Sequence, residues 1–143
     1  MIKVLVYGAK GWIGSQFTDL LNSRNIVWCK AEGRADDSRA VKNEIMSNGV
    51  THVVSFIGRT HGTHEGKTIP TIDYLELEGK LEENVRDNLL APTVLAKICA
   101  DIGVHFTYLG TGCIFDYDGN EDSAFGDDAL PNFKGSSYST VKG

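Results

Sequence analysis

Tyr138 and Lys142 stand four residues apart near the end of the sequence, a spacing that puts two side chains on one face of a helix. An ammonium beside a phenol favours the ionised phenol. The pair therefore reads as a tyrosine poised to give up a proton near neutral pH, with Lys142 as the group that tunes it. A second motif opens the chain, where Gly8-x-x-Gly11-x-x-Gly14 follows directly on the apolar run Ile2 to Tyr7. Glycines so placed let the backbone turn sharply out of a strand, approach a pyrophosphate and pack a helix against the sheet, while the helix N-terminus attracts the anion. A dinucleotide turn and a tunable phenol together read as reductase chemistry.

A dinucleotide in that turn would rest on Gly8, Gly11, Trp12, Ile13 and Gly14, on Phe56, Ile57 and Gly58 at the end of a later strand, and on Tyr138 and Lys142. Its identity depends on the end of the second strand, where an acidic residue holds a free ribose 2′-hydroxyl and a basic one accepts a 2′-phosphate. Lys30 and Arg34 flank Glu32 there, which favours NADP(H), with NAD(H) as the alternative. The plainer reading of Arg34 is a solvated loop charge.

These groups need elements to hold them. Ile2 to Tyr7 has the continuous apolar pattern of a strand buried on both faces. Trp12 to Ser23 carries Trp12, Ile13, Phe17, Leu20 and Leu21 at helical steps. A second strand fits Ile26 to Cys29, and Ser38 is placed to cap a helix to about Asn48 that Gly49 stops. Thr51 to Ile57 is a third strand, residues 59 to 71 a glycine-containing loop, and Tyr74 to Ile102 a long helical pattern with Pro92 inside it, where a kink or two abutting helices are expected. His105 to Leu109 is a further strand, with Thr111 just past its end, and the acidic stretch 116 to 128 is an exposed loop. Alternating strands and helices predict an α/β fold with a doubly wound parallel sheet, and ligands in such sheets lie outside the carboxyl ends of the strands.

The 143 residues suit one domain, 41% of them hydrophobic and 23% charged. The helix that starts near Tyr138 is cut off within its first turns, so residues 1–143 read as an incomplete dinucleotide-binding domain. A net charge of -5 without a basic stripe argues against nucleic acid and anionic membrane as partners. Apolar runs are too short for a membrane span. Cys29, Cys99 and Cys113 have neither disulfide nor zinc spacing, which makes a reducing cytoplasm the default location. His61 and His64 could bind metal only with carboxylate help. Trp12 and Trp28 read as packing residues.

The Gly8 to Gly14 spacing, Gly33-Arg34, the helix Asn88 to Cys99, Thr111-Gly112-Cys113-Ile114-Phe115 and Pro131 to Lys142 resemble the extended short-chain dehydrogenase/reductase superfamily. Within it, the chain is similar to the reductase part of plant and viral 3,5-epimerase/4-reductases of nucleotide 4-keto-6-deoxysugars, which form UDP-L-rhamnose. The resemblance implies a Rossmann fold ending before the substrate-binding region, a nucleotide-sugar substrate and a homodimer as one assembly. It implies that Thr111 polarises the C4 carbonyl beside Tyr138, that Lys142 also holds the nicotinamide ribose, and that Cys113 takes the proton at C3 and C5. Thr60 and His61 would reach the sugar, and Asn88 would tie its helix to the active-site strand. Dehydratases of the superfamily carry an Asp-Glu pair where Gly112 and Cys113 stand, which argues against water elimination. A 4-keto reductase without epimerase activity and a non-catalytic NADP-binding module are the competing readings.

Overall fold

The structure, a computed structural model, describes residues 1–117 and 125–143. It divides into two compact units, Met1–Gly58 with Leu90–Leu109, and Arg59–Leu89 with Gly110–Gly143.

The first unit is a four-stranded parallel sheet in the order β2-β1-β3-β6, built from β1 (Lys3–Tyr7), β2 (Val27–Lys30), β3 (His52–Ser55) and β6 (His105–Tyr108). The strand reading of the opening run holds because alternate side chains enter two cores. Leu5 and Tyr7 pack with Val53, with Val41 and Ile45 of α2 (Ser38–Asn48) and with Leu95, Ile98 and Cys99 of α4 (Ala91–Ile102). Val4 and Val6 pack with Val54 and with Phe17 and Leu21 of α1 (Trp12–Ser23). Each such side chain contributes roughly 1.5–3 kcal/mol of burial. Helix α2 is capped by Asp37, whose carboxylate accepts the N–H groups of Arg39 and Ala40 at 3.0 Å, and not by Ser38, which is already its first helical residue. Gly49 and Gly103 end α2 and α4 in the left-handed conformation, where a residue without Cβ is unstrained.

The second unit corrects the expected loop over residues 59 to 71. Gly62–His64 (β4) and Lys67–Ile69 (β5) pair as an antiparallel hairpin, turned by Glu65 and Gly66 with φ of 49° and 76°. Two consecutive positive φ values make a two-residue turn whose twist matches its strands. The long helical pattern begins later and is broken: a 3-10 turn at Ile72–Glu76 precedes α3 (Leu81–Val85), and Arg86–Leu90 form a π turn immediately before α4. The break falls ahead of Pro92, which cannot donate to an α ladder. Thr111 leads into a second 3-10 turn, Gly112–Ile114, and α5 spans Ser137–Lys142. Pro131–Phe133 fold back on this turn, with the N–H groups of Asn132 and Phe133 on the Ile114 carbonyl at 3.1 and 3.0 Å. Of the acidic stretch 116 to 128, residues 118–124 lie outside the described residues. Among the described residues, no helix is long and apolar enough to cross a membrane.

Candidate active site

The glycine turn is built by close approach. Gly8 has φ +79°, and a Cβ there would meet the Phe56 carbonyl carbon at 3.1 Å. The Gly11 N–H closes the turn on the Gly8 carbonyl at 3.0 Å. Gly14 sits so tightly on that same carbonyl that any side chain would overlap it. Helix α1 then starts from an extended Gly11 with no side-chain cap, so its first N–H groups are open to an anionic group. Such a cradle, with no Cβ to fill it, fits a dinucleotide pyrophosphate. Phe56 and Ile57 follow β3 beside it, the Phe56 N–H on the Tyr7 carbonyl at 3.0 Å and its ring 5.2 Å from that of Phe17. Gly58 closes this stretch of the first unit.

Trp12 corrects the packing reading: at 82% exposure it stands in solvent, because Phe17 and Leu21 take the sheet-facing positions of α1. Ile13 is also exposed. Trp28 does pack, with its indole N–H donating to the Asn22 Oδ1 at 2.8 Å. At the end of β2, the Lys30 ammonium meets the Glu32 carboxylate at 2.7 Å, and that hydrogen bond raises the lysine pKa. Arg34 pairs with Asp36 at 2.9 Å. The Glu44 carboxylate accepts the Glu32 N–H at 2.6 Å and shapes this loop.

In the second unit, Tyr138 is buried at 6% exposure with its phenol beside the Thr111 side chain, which draws its pKa down. The Thr111 hydroxyl oxygen accepts the backbone N–H of Cys113 at 3.2 Å, which shapes the turn after β6. Cys113 is exposed and free. Lys142, one helical turn on, holds its ammonium 5.8 Å from the centre of the Tyr138 ring. Burial raises the Tyr138 pKa, the Thr111 side chain draws it back down, and the nearby Cys113 charge adds to the rise. This corrects the expectation that Lys142 sets a low tyrosine pKa: the ammonium lies over the ring face, and burial lowers its own pKa. Tyr138 is therefore kept in its acid form.

Residues that no motif announces hold this group. The Glu76 carboxylate accepts the N–H groups of Ser137 and Tyr138, and Asn84, fully buried, donates to the Ser137 Oγ at 2.9 Å. Asn88 donates to Asn84 at 2.8 Å and to the Arg59 carbonyl at 2.9 Å, and accepts the Arg59 N–H at 2.8 Å. Its tie is thus to Arg59, not to the active-site strand. The Thr60 Oγ1 and His61 Nδ1 pair with each other at 3.3 Å ahead of the hairpin. Among the described residues, no three His, Cys, Asp or Glu side chains are placed to hold a metal ion.

The chain is 49% identical over 145 residues to the L780 protein of Acanthamoeba polyphaga mimivirus, covering 99% of this chain and 49% of that one. Against the crystal structure of the L780 UDP-rhamnose synthase the TM-score is 0.91, again over 99% of this chain and 49% of that chain. This chain is a homologue of the UDP-rhamnose synthase. It matches the N-terminal part, so it spans about half the length of the curated relative, 49% of it. The homologue is also 33% identical, over 99% of its length and 20% of the relative's, to the Arabidopsis thaliana trifunctional UDP-glucose 4,6-dehydratase/UDP-4-keto-6-deoxy-D-glucose 3,5-epimerase/UDP-4-keto-L-rhamnose-reductase RHM1. A dTDP-4-dehydrorhamnose reductase from Bacillus anthracis in complex with NADP superposes with a TM-score of 0.78 at 16% identity, covering 99% of this chain and 47% of that one, a likeness of fold alone. No family model matches the sequence. The α/β Rossmann-like fold read from the sequence is the fold of these neighbours.

Proposed function

We propose that the chain carries the cofactor and catalytic residues of an NADPH-dependent reductase acting at C4 of a nucleotide 4-keto-6-deoxyhexose, coupled to inversion at C3 and C5 and giving a nucleotide-L-rhamnose. The single observation that carries this reading is the buried Tyr138 phenol beside Thr111, whose hydroxyl oxygen also accepts the Cys113 backbone N–H. The names of the relatives support the substrate class.

Gly8, Gly11 and Gly14 would receive the pyrophosphate, with Trp12, Ile13, Phe56, Ile57 and Gly58 around it, and Lys30 and Arg34 would meet a 2′-phosphate. Bound there, NADPH supplies hydride to C4. Thr111 donates its hydroxyl hydrogen to the C4 oxygen and polarises the carbonyl, and Tyr138 delivers its proton to that oxygen as charge develops on it. Lys142 holds the nicotinamide ribose and bears positive charge toward the resulting phenolate. Before reduction, Cys113 as thiolate would take the proton from C3 or C5, which the ketone acidifies, and a solvent-derived proton would be added from the opposite face. Thr60 and His61 contact the sugar.

Solvent deuterium tests the coupled step. UDP-4-keto-6-deoxyglucose incubated in D2O without NADPH gains deuterium at C3 and C5 with the unaltered protein and gains none with Cys113→Ser. Exchange that survives the substitution removes Cys113 from the chemistry and leaves a reductase alone.

A further inference from the structure

We infer that Glu76 is the positioning residue for Tyr138, acting as a hydrogen-bond clasp on the start of the helix that presents the phenol. The inference rests on the reading of Tyr138 as the proton donor. Helix α5 opens at Ser137 behind the Ser136 N-cap, and the first N–H groups of a helix have no partner within it. Its first N–H groups are satisfied from outside. The Ser136 Oγ accepts the Ser139 N–H at 3.0 Å, the two Glu76 oxygens accept the Ser137 N–H at 2.9 and 3.0 Å, and Glu76 Oε1 reaches the Tyr138 N–H at 3.4 Å. The Glu76 side chain is exposed, but its backbone sits beside buried neighbours. Glu76 ends the 3-10 turn Ile72–Glu76, whose Tyr74 and Leu75 are buried in one apolar cluster with Tyr138. The Tyr74 ring in turn lies against Gly62 so closely that a Cβ there would fall 2.6 Å from the Cε1 ring atom. The β4–β5 hairpin, Tyr74, Glu76 and Tyr138 thus form one run of contacts, and the hairpin becomes part of the catalytic apparatus without touching the phenol.

Two features identify the carboxylate as an acceptor and not as a charge. Among the described residues it bonds backbone N–H groups only, and it is not among the groups that shift Tyr138. A glutamine keeps one acceptor oxygen in the same place, and an alanine keeps none.

Amide hydrogen exchange and phenol titration on the whole protein test this. In Glu76→Ala, the Ser137 and Tyr138 amides exchange roughly tenfold faster while those of β1 and β3 keep their rates. The Tyr138 titration, read as the difference from Tyr138→Phe, moves down toward that of an ordinary tyrosine. Glu76→Gln keeps both close to the unaltered protein. The inference is overturned if Glu76→Ala leaves the two amides and the titration unchanged, or if glutamine is as damaging as alanine. Neither readout needs substrate, so a failure of the reductase reading leaves this test standing.

Discussion

The Lys142 ammonium faces the π surface of the Tyr138 ring at 5.8 Å from its centre, one helical turn away. Placed there, it holds the ring in position by cation–π attraction. The phenolic oxygen answers instead to burial, which raises its pKa, and to Thr111, which lowers it.

Tyr138 should therefore ionise above the ordinary tyrosine range. The sign follows from linkage: a raised folded pKa favours the protonated form in the folded state, so its stabilisation is complete below about pH 10 and is lost as pH climbs through the folded value. Urea midpoints measured across the alkaline range should fall less steeply in Tyr138→Phe. Tyr7, whose pKa burial and Glu44 also raise, keeps part of the slope in that variant.

Gly14→Ala forces a methyl into the Gly8 carbonyl. Overpacking of this kind costs about 1–3 kcal/mol. Thermal unfolding should register it, and titration with NADPH should show binding lost. Gly49→Ala is the control, since φ is +58° there and the space around it is open. It should cost about 1 kcal/mol and leave binding intact.

Asn84 bridges Asn88 and Ser137 with no exposure to solvent. Among the described residues, no buried side-chain nitrogen or oxygen is left without a partner. Asn84→Ala strands two polar partners at once, and urea denaturation should show a loss of about 2–3 kcal/mol.

Lys30 ends β2 and pairs with Glu32. Lys30→Ala should weaken NADPH roughly tenfold and leave NADH unchanged, because only the former carries the 2′-phosphate. Fluorescence titration with both cofactors checks it. Equal losses would remove Lys30 from selectivity.

The sheet was legible because its signals are local: a two-faced apolar run, a three-glycine turn, and left-handed glycines at Gly49 and Gly103 all act within a few residues. Helix α1 is read to its observed ends. The hairpin was not legible, since its turn uses Glu65 where Asn or Asp would have announced two positive φ values. The break in the long helix was expected at Pro92, but a π turn ahead of it depends on geometry that periodicity does not carry. In the candidate site, Tyr138 and Lys142 were singled out by type and spacing, and Thr111 and Cys113 by the resemblance to the epimerase/reductases. Glu76 and Asn84 were not, because they act on Ser137 across 61 and 53 residues of chain, and no local pattern encodes such contacts. The pKa of Tyr138 failed for a related reason: sequence shows which residue neighbours the phenol, not how deeply the fold buries it.

The account turns on Tyr138 as the acid that protonates the C4 oxygen. Following NADPH oxidation in the presence of UDP-4-keto-6-deoxyglucose tests it most directly. The account predicts turnover by the unaltered protein, and in Tyr138→Phe a fall in kcat of about 10²–10⁴-fold with the Kd for NADPH unchanged. A Tyr138→Phe protein that oxidises NADPH as fast as the unaltered one would contradict it.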